Sequence, residues 1–282
     1  MHDTPDPFPL QAEVLNREAA RENGVVPLYT RLRTMILDGV FPPGSMLSQV
    51  KLAESLGVSR IPLREALRML QKEGLIEAEH NQRARVPSFE PSIVDSLYAS
   101  RILLEALSIR LTVPHIDQAD VQALKQTLTE LDEAAAHIDL DAWEEPHRRF
   151  HALLVRHAED SLRQRIASYA NQCEYYRRLY YRLVSTHQPT RPAEVIAAEH
   201  HSIANACTQG NADLAAYLLT RHYARTALTV LGQMTPEFNP EAVRMALQIV
   251  GADAPLPEAP PPRRQTRSGQ EAQANVKRSQ SV

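Results

Sequence analysis

The sequence predicts a mainly α protein in two folded parts: a small N-terminal unit of three helices closed by a β-hairpin, then a larger antiparallel all-α bundle. Three observations carry this. The chain holds only 9 glycines in 282 residues and is rich in Ala, Leu, Glu and Arg, the residues that cost least inside a helix. Apolar residues recur with a helical period through most of the chain, and Gly, Pro, Asp or Asn mark the breaks. One short stretch near residues 75–88 reads instead as two extended runs around a polar tip.

Taken in order, "VPLYTRLRTMILDGVFPPGSML" opens with an amphipathic helix from Leu28 to Leu37, stopped by Gly39 and the turn at Pro42, Pro43 and Gly44. Ser48 is placed to cap a short helix, "QVKLAESL", that ends at Gly57. Ser59 is placed to cap a third helix, "RIPLREALRMLQKE", closed by Gly74; Pro62 is tolerated because it falls in the first turn. The following "LIEAEHNQRARVPS" reads as a hairpin with His80, Asn81 and Gln82 at its tip. Helix, short turn, helix and hairpin make the winged helix-turn-helix plan.

From Glu90 onward the pattern is long helices, expected over Pro91–Thr112, Gln118–His137, Leu140–Ala158, Leu162–Val184, Pro192–Gln209 and Ala212–Met234, with a shorter one over Pro240–Val250. Helices of this length with short loops pack as an antiparallel bundle that can hold a ligand or metal between them. The expected organisation is a mobile arm over 1–23, a nucleic-acid-binding domain over 24–88, a helical effector-binding and dimerisation domain over 89–250, and a disordered tail over 251–282. The tail is rich in Pro, Ala, Gln and Ser and cannot bury a core.

Composition narrows the function. Cys173 and Cys207 are the only cysteines, too few for a disulfide framework or a thiolate zinc site, so any metal falls to histidine and carboxylate. No apolar run reaches the roughly 18 residues of a membrane span, and the acidic, proline-broken start "MHDTPDPFPL" does not read as a secretion signal. A cytoplasmic protein without a membrane partner is expected. The net charge of −3 hides a split, because residues 24–88 carry 9 basic against 6 acidic side chains. Such asymmetry suits one domain that meets phosphate and another that does not.

Arg60, Arg64 and Arg68 recur every fourth residue along the third helix, while Leu63, Leu67 and Leu70 form its apolar stripe. Guanidinium forks so placed can reach phosphate or the O6/N7 edge of guanine. A solvated face whose arginines pair with Glu65 and Glu73 is the alternative.

The stretch "LAESLGVSRIPLREALRMLQKEGLI" closely resembles the winged-helix domain of the GntR family of bacterial transcription regulators, over about Val26 to Val86. By that resemblance Arg60 and Arg64 are operator contacts, and His80 falls where members place a wing residue in the minor groove. Two positions depart from the family: Val50 stands where many members have arginine, which shifts a contact toward Lys51, and Arg83 stands where the wing often has glycine. The residues expected to meet double-stranded operator DNA are Lys51, Ser59, Arg60, Arg64 and Arg68 from the helices and His80, Asn81 and Arg83 from the wing.

In "HRRFH", His147 and His151 lie one turn apart on one helix face. His200 in "AAEHHSIANA" and His222 in "LLTRHYARTAL" lie on two later helices. This arrangement resembles the C-terminal FCD domain of the FadR subfamily, over about Pro91 to Met234. Many members of it bind a metal through an aspartate, a histidine four residues later and two further histidines. The resemblance makes His151, His200 and His222 ligands and puts His147 in the aspartate's place. An all-histidine set suits zinc, or nickel, better than magnesium or calcium. His201 is expected to be a bystander, and Pro146, inside the helix, would cost one backbone hydrogen bond.

The resemblance further implies a small carboxylate effector, with Arg101 and Tyr176 nominated to bind it. Tyr169, Tyr176 and Tyr180 share a face that is either pocket wall, core or dimer surface. The expected protein is a ligand-responsive regulator, a repressor that binds a pseudo-palindromic operator as a homodimer and is not an enzyme. Two alternatives stand beside it: the same regulator without metal, its histidines binding effector directly, and a metal-dependent enzyme. Against the enzyme, "HRRFH" lacks the glutamate that serves as general base in HExxH.

Overall fold

A computed structural model describes residues 24–79, 83–137, 140–183 and 193–252. The N-terminal arm, the wing tip with His80 and Asn81, and the tail beyond 252 lie outside these residues. The fold is mainly α, an N-terminal winged helix-turn-helix followed by a helical bundle.

The winged unit is built from α1 (Val25–Leu37), β1 (Met46–Ser48), α2 (Gln49–Leu56), α3 (Arg60–Lys72), β2 (Glu77–Glu79) and β3 (Arg83–Arg85). Its core is the meeting of three apolar stripes: Leu28, Leu32 and Ile36 from α1, Leu52 and Leu56 from α2, and Leu63, Leu67 and Leu70 from α3, all buried. Ser48 caps α2 by accepting from the Lys51 amide. Gly57 takes the left-handed conformation at its far end, φ 64°. Ser59 occupies the N-cap position of α3 but makes no side-chain capping bond, so its expected role there is not realised. The strands form an antiparallel sheet in the order β1-β3-β2, with Ala84 opposite both Leu47 and Ala78. That pairing seats Leu47 and Ala84 on the core and leaves Arg83 exposed.

The bundle comprises α4 (Pro91–Thr112), α5 (Gln118–Ala136), α6 (Leu140–Leu153), α7 (Asp160–Leu183), α8 (Ala193–Thr208), α9 (Ala212–Met234) and α10 (Glu241–Ile249). Helix α4 packs against α7, α9 and α10. Its buried set therefore runs round much of its circumference and includes Asp95, Arg101, Glu105, Ser108 and Thr112. Asp95 accepts from the amides of Val243 and Ala242, at 3.0 and 2.9 Å, and so satisfies the N-terminus of α10 from outside that helix.

Two boundaries in the bundle differ from the periodicity by more than one residue. Helix α6 ends at Leu153 rather than Ala158, because residues 154–157 form turns, and the next helix starts at Asp160 rather than Leu162. Pro146 does lie inside α6. It is buried one residue before His147.

The two parts meet along α7. Arg33 on α1 donates to Asn171 at 3.1 Å and to Glu174 at 3.4 Å, and Arg178 reaches Asp38 at 2.9 Å. The hydroxyls of Tyr175 and Tyr176 donate to the carbonyls of Pro87 and Ser88, at 2.8 and 3.2 Å. Gly74, at φ 73°, closes α3 where the Gln172 side chain lies so near that a β-carbon would collide with it.

Candidate metal centre and nucleic-acid face

Helix α6 carries His147 and His151 one turn apart, α8 brings His200 and α9 brings His222. One ligand nitrogen from each lies within 4.8 Å of the other three. His151, His200 and His222 are buried and His147 is half-buried. The Nε2 atoms of His147 and His151 stand 3.1 Å apart. At a zinc–nitrogen distance of about 2.0–2.1 Å, neighbouring nitrogens of a tetrahedron are separated by about 3.3–3.4 Å, so this edge is already close to ligand spacing.

The surroundings set which nitrogens face inward. Burial holds the Tyr223 phenol well above its usual range and therefore protonated. Its hydroxyl donates to the acceptor-only carboxylate of Glu105. The remaining lone pairs of that oxygen take the bond from His151 Nδ1 at 2.9 Å. His151 thus carries its proton on Nδ1 and turns the Nε2 lone pair toward its companions. Glu199 fixes His222 in the same sense, with Oε2 2.7 Å from Nδ1, the carboxylate–histidine arrangement that orients metal-binding imidazoles.

Burial, then the neighbouring His151 and Arg177, push the His147 imidazole well below its usual range; burial, then His222 and His200, do the same for His151. Neutral rings with lone pairs available are what a metal requires. Trp143, one turn before His147, stacks on its ring at 4.0 Å between centroids and narrows its choice of rotamer. The donor set is chemically fit for zinc or nickel.

Three of the four, His147, His151 and His222, form part of the wall of a cavity of about 500 Å³ between α4, α6, α7, α8 and α9, and His200 does not line it. Arg101 lies in that wall, but its Nε donates to Glu105 at 2.7 Å and its guanidinium sits 4.0 Å from the Tyr223 ring centroid. Tyr176 does not line the cavity. It packs edge-on against Phe89 at the junction of the two domains, so the structure moves it out of the expected effector site. Of the tyrosine stripe, Tyr180 lines the cavity and Tyr169 does not. His201, on the outer side of α8, pairs with Asp132 at 2.8 Å.

The sequence reading missed Trp143, Glu105, Glu199, Tyr223 and Arg177. A faint signal was present: Glu199 precedes His200, Tyr223 follows His222, and Glu105 stands four residues after Arg101. Arg177 binds both oxygens of Glu144, at 2.9 and 2.6 Å. Burial pushes Glu144 up, but Arg177 and Arg178 overcome it and hold this carboxyl below the usual range.

On the winged domain, Arg60, Arg64 and Arg68 are exposed on the face of α3 away from its leucine stripe, and Lys51 and Ser59 are exposed beside them. Glu65 sits within this stripe, 3.0 Å from Arg68 and 3.7 Å from Arg64. Exposed pairs of this kind contribute little, about 0–1 kcal/mol, and leave the arginines able to exchange carboxylate for phosphate.

Residues 26–86 match the model of the gntR family of bacterial regulatory proteins, and residues 96–225 match the FCD domain. The chain is 30% identical over 197 residues to the HTH-type transcriptional regulator YdhC of Bacillus subtilis, covering 69% of this chain and 85% of that one. This protein belongs to the GntR family. With its FCD domain it is a FadR-like GntR regulator: a transcription regulator with an effector-binding domain, and not an enzyme. A second GntR relative, the HTH-type regulator in an unstable DNA locus of Streptomyces ambofaciens, is 30% identical over 196 residues, 69% of this chain and 80% of its own. Among solved structures, E. coli McbR/YncC shares the GntR fold at TM-score 0.62 and 21% identity, over 75% of this chain and 98% of its own. A GntR regulator from Rhodococcus sp. RHA1 does so at TM-score 0.59 and 23% identity, over 74% of this chain and 97% of its own.

Proposed function

We propose that this GntR regulator is a cytoplasmic homodimeric repressor whose bundle holds one divalent ion, zinc or nickel, on His147, His151, His200 and His222. A small organic acid binds beside that ion. The observation that carries the reading is the convergence of four imidazoles from three helices beside a cavity that three of them line, two of the four oriented by Glu105 through Tyr223 and by Glu199. The ion would supply a Lewis-acid anchor for a carboxylate. The protein supplies the neutral ligands, the orientation of His151 and His222, and the cover over them.

Operator contact is assigned to Arg60, Arg64 and Arg68, with Lys51 and Ser59 at the helix ends and Arg83 on the wing; His80 and Asn81 belong to the same set. Two copies of α3, related by a two-fold axis, would read two half-sites. A route between the sites is supported by ion pairs. Glu144 stands three residues before His147 on α6 and binds Arg177 and Arg178, and Arg178 in turn binds Asp38 at the end of α1. Movement of α6 on effector binding would shift α7 and the winged domain docked on it, changing half-site spacing.

The metal-free pocket remains the second reading, favoured by the 3.1 Å His147–His151 contact, which a neutral donor–acceptor pair also satisfies. The test of regulator function is selection of duplexes from a random pool, followed by titration with and without zinc. A two-fold-symmetric sequence should be enriched, and metal with acid should weaken its binding. Failure to enrich any duplex contradicts operator binding.

A further inference from the structure

The buried wall of the cavity beside the histidines is ill suited to a second anionic group. Of the four arginines in its lining, the two buried ones are each held by a buried carboxylate, Arg101 by Glu105 and Arg177 by Glu144, while Arg148 and Arg163 stand at the solvent-exposed edge in exposed pairs with Glu145 and Asp160. Glu174 adds another acidic group to the same wall. The rest is largely apolar, with Val155, Ile166, Ala167, Ala170, Ile196 and Val230 and several aromatic rings, and with Gln164, Asn171, Thr226 and Thr229 as its neutral polar side chains. At about 30 Å³ per water, the volume of about 500 Å³ has room for on the order of fifteen non-hydrogen atoms. That is more than a two- or three-carbon acid fills.

We infer that the effector is a monocarboxylic acid with an extended apolar or aromatic body, rather than a dicarboxylate or a polyhydroxylated acid. This rests on the pocket being the effector site, as proposed above. One carboxylate finishes at the histidine cluster, and the body lies along Ile166, Ile196 and Val230. A second carboxylate carried into that buried wall would lose its hydration and find Arg101 and Arg177 already engaged by Glu105 and Glu144, a cost that burial of a charge without a new partner imposes. A chain of hydroxyls would meet mostly apolar surface, where the Thr226 and Thr229 hydroxyls already donate to carbonyls of their own helix and Asn171 already accepts from Arg33, so most of its hydroxyls would lose water without an equal replacement.

The test compares two acids of equal chain length, octanoate and octanedioate, titrated calorimetrically into the zinc-loaded full-length protein. Octanoate should bind at least tenfold more tightly. Equal affinities, tighter binding of octanedioate, or no binding of octanoate at millimolar concentration would overturn the inference. Ile196→Lys, at a half-buried position on α8, places a cation in the apolar wall and should raise octanedioate affinity relative to octanoate. An unchanged ratio in a folded variant counts against the assigned position of the body. Repeating the octanoate titration on chelator-treated protein separates the two readings. Affinity unchanged without metal removes the ion from the proposed function, while the ratio between the two acids still decides the effector class.

Discussion

On α3, Arg60, Arg64 and Arg68 stand exposed, held apart only by their places on a helix that its leucines fasten to the winged core. In the bundle, four imidazoles are gathered from three helices, three of them buried and His147 half-buried. The first site is local and keeps its charges in water, where they can trade counterions for phosphate. The second is made by tertiary packing, and its value lies in being gathered and oriented before anything binds. Charge displayed on one element tolerates the loss of a member; a site assembled from three helices does not.

That contrast is sharpest when ligands are removed in pairs. His151→Ala together with His200→Ala should abolish tight zinc binding in a competition titration against a chromophoric chelator, because four ligands share roughly 10–16 kcal/mol in a structural site and two of them are gone. Retained affinity would put the ion elsewhere. Tyr223→Phe removes no ligand, yet it frees the His151 ring to turn and takes from the buried Glu105 the donor to one of its two oxygens, leaving it Arg101. Zinc affinity should fall by about 10–100-fold, with circular dichroism confirming the fold. No change would show that the Glu105–Tyr223–His151 chain does not orient the ligand.

On the exposed side, Arg64→Ala should weaken binding to a selected operator by about 1–3 kcal/mol at fixed salt if the side chain makes a bidentate base contact, while zinc affinity stays as it was. An unchanged operator affinity removes Arg64 from the contact set.

The buried groups also titrate, and in opposite senses. His147 and His151 are pushed below their usual 6.5, so between that value and their folded values the unfolded chain holds more protons than the folded one. Stability of the metal-free protein should therefore be full above about pH 6.5 and decline as pH falls below it. The His151→Ala, His200→Ala variant should show a shallower decline in urea titrations at pH 5 and 7. Glu174 at the domain junction is the reverse case. Burial, then Glu144, push it up to about 7 from the ordinary 4.5. Its contribution is full below pH 4.5 and lost as pH rises through 7, so Glu174→Gln should flatten that part of the profile, the smallest of these effects. A profile unaltered by the substitution would place its titration outside the folding equilibrium.

Much of the winged domain was legible because its signals are local. Ser48 and Gly57 bracket α2, Gly74 ends α3, and the leucine and arginine stripes need only the helical period to be placed. The four histidines were legible by their register along the chain, which says nothing about distance; their convergence is a property of how α6, α8 and α9 pack. The partners were hidden for the same reason. Nothing in the spacing shows that Glu105 takes up both Arg101 and Tyr223, or that Tyr176 turns away from the cavity to reach the Ser88 carbonyl. The early end of α6 at Leu153 was equally hidden, since the apolar residues that follow it, Leu154 and Val155, are buried in turns rather than in a further helical turn.

The most direct test of the central claim is the metal content of the full-length protein, prepared without a histidine tag and measured beside the His151→Ala, His200→Ala variant. The account predicts about one zinc or nickel per chain in the unaltered protein and none in the variant. Absence of metal from the unaltered protein even after incubation with zinc or nickel, or equal metal in both proteins, would contradict it.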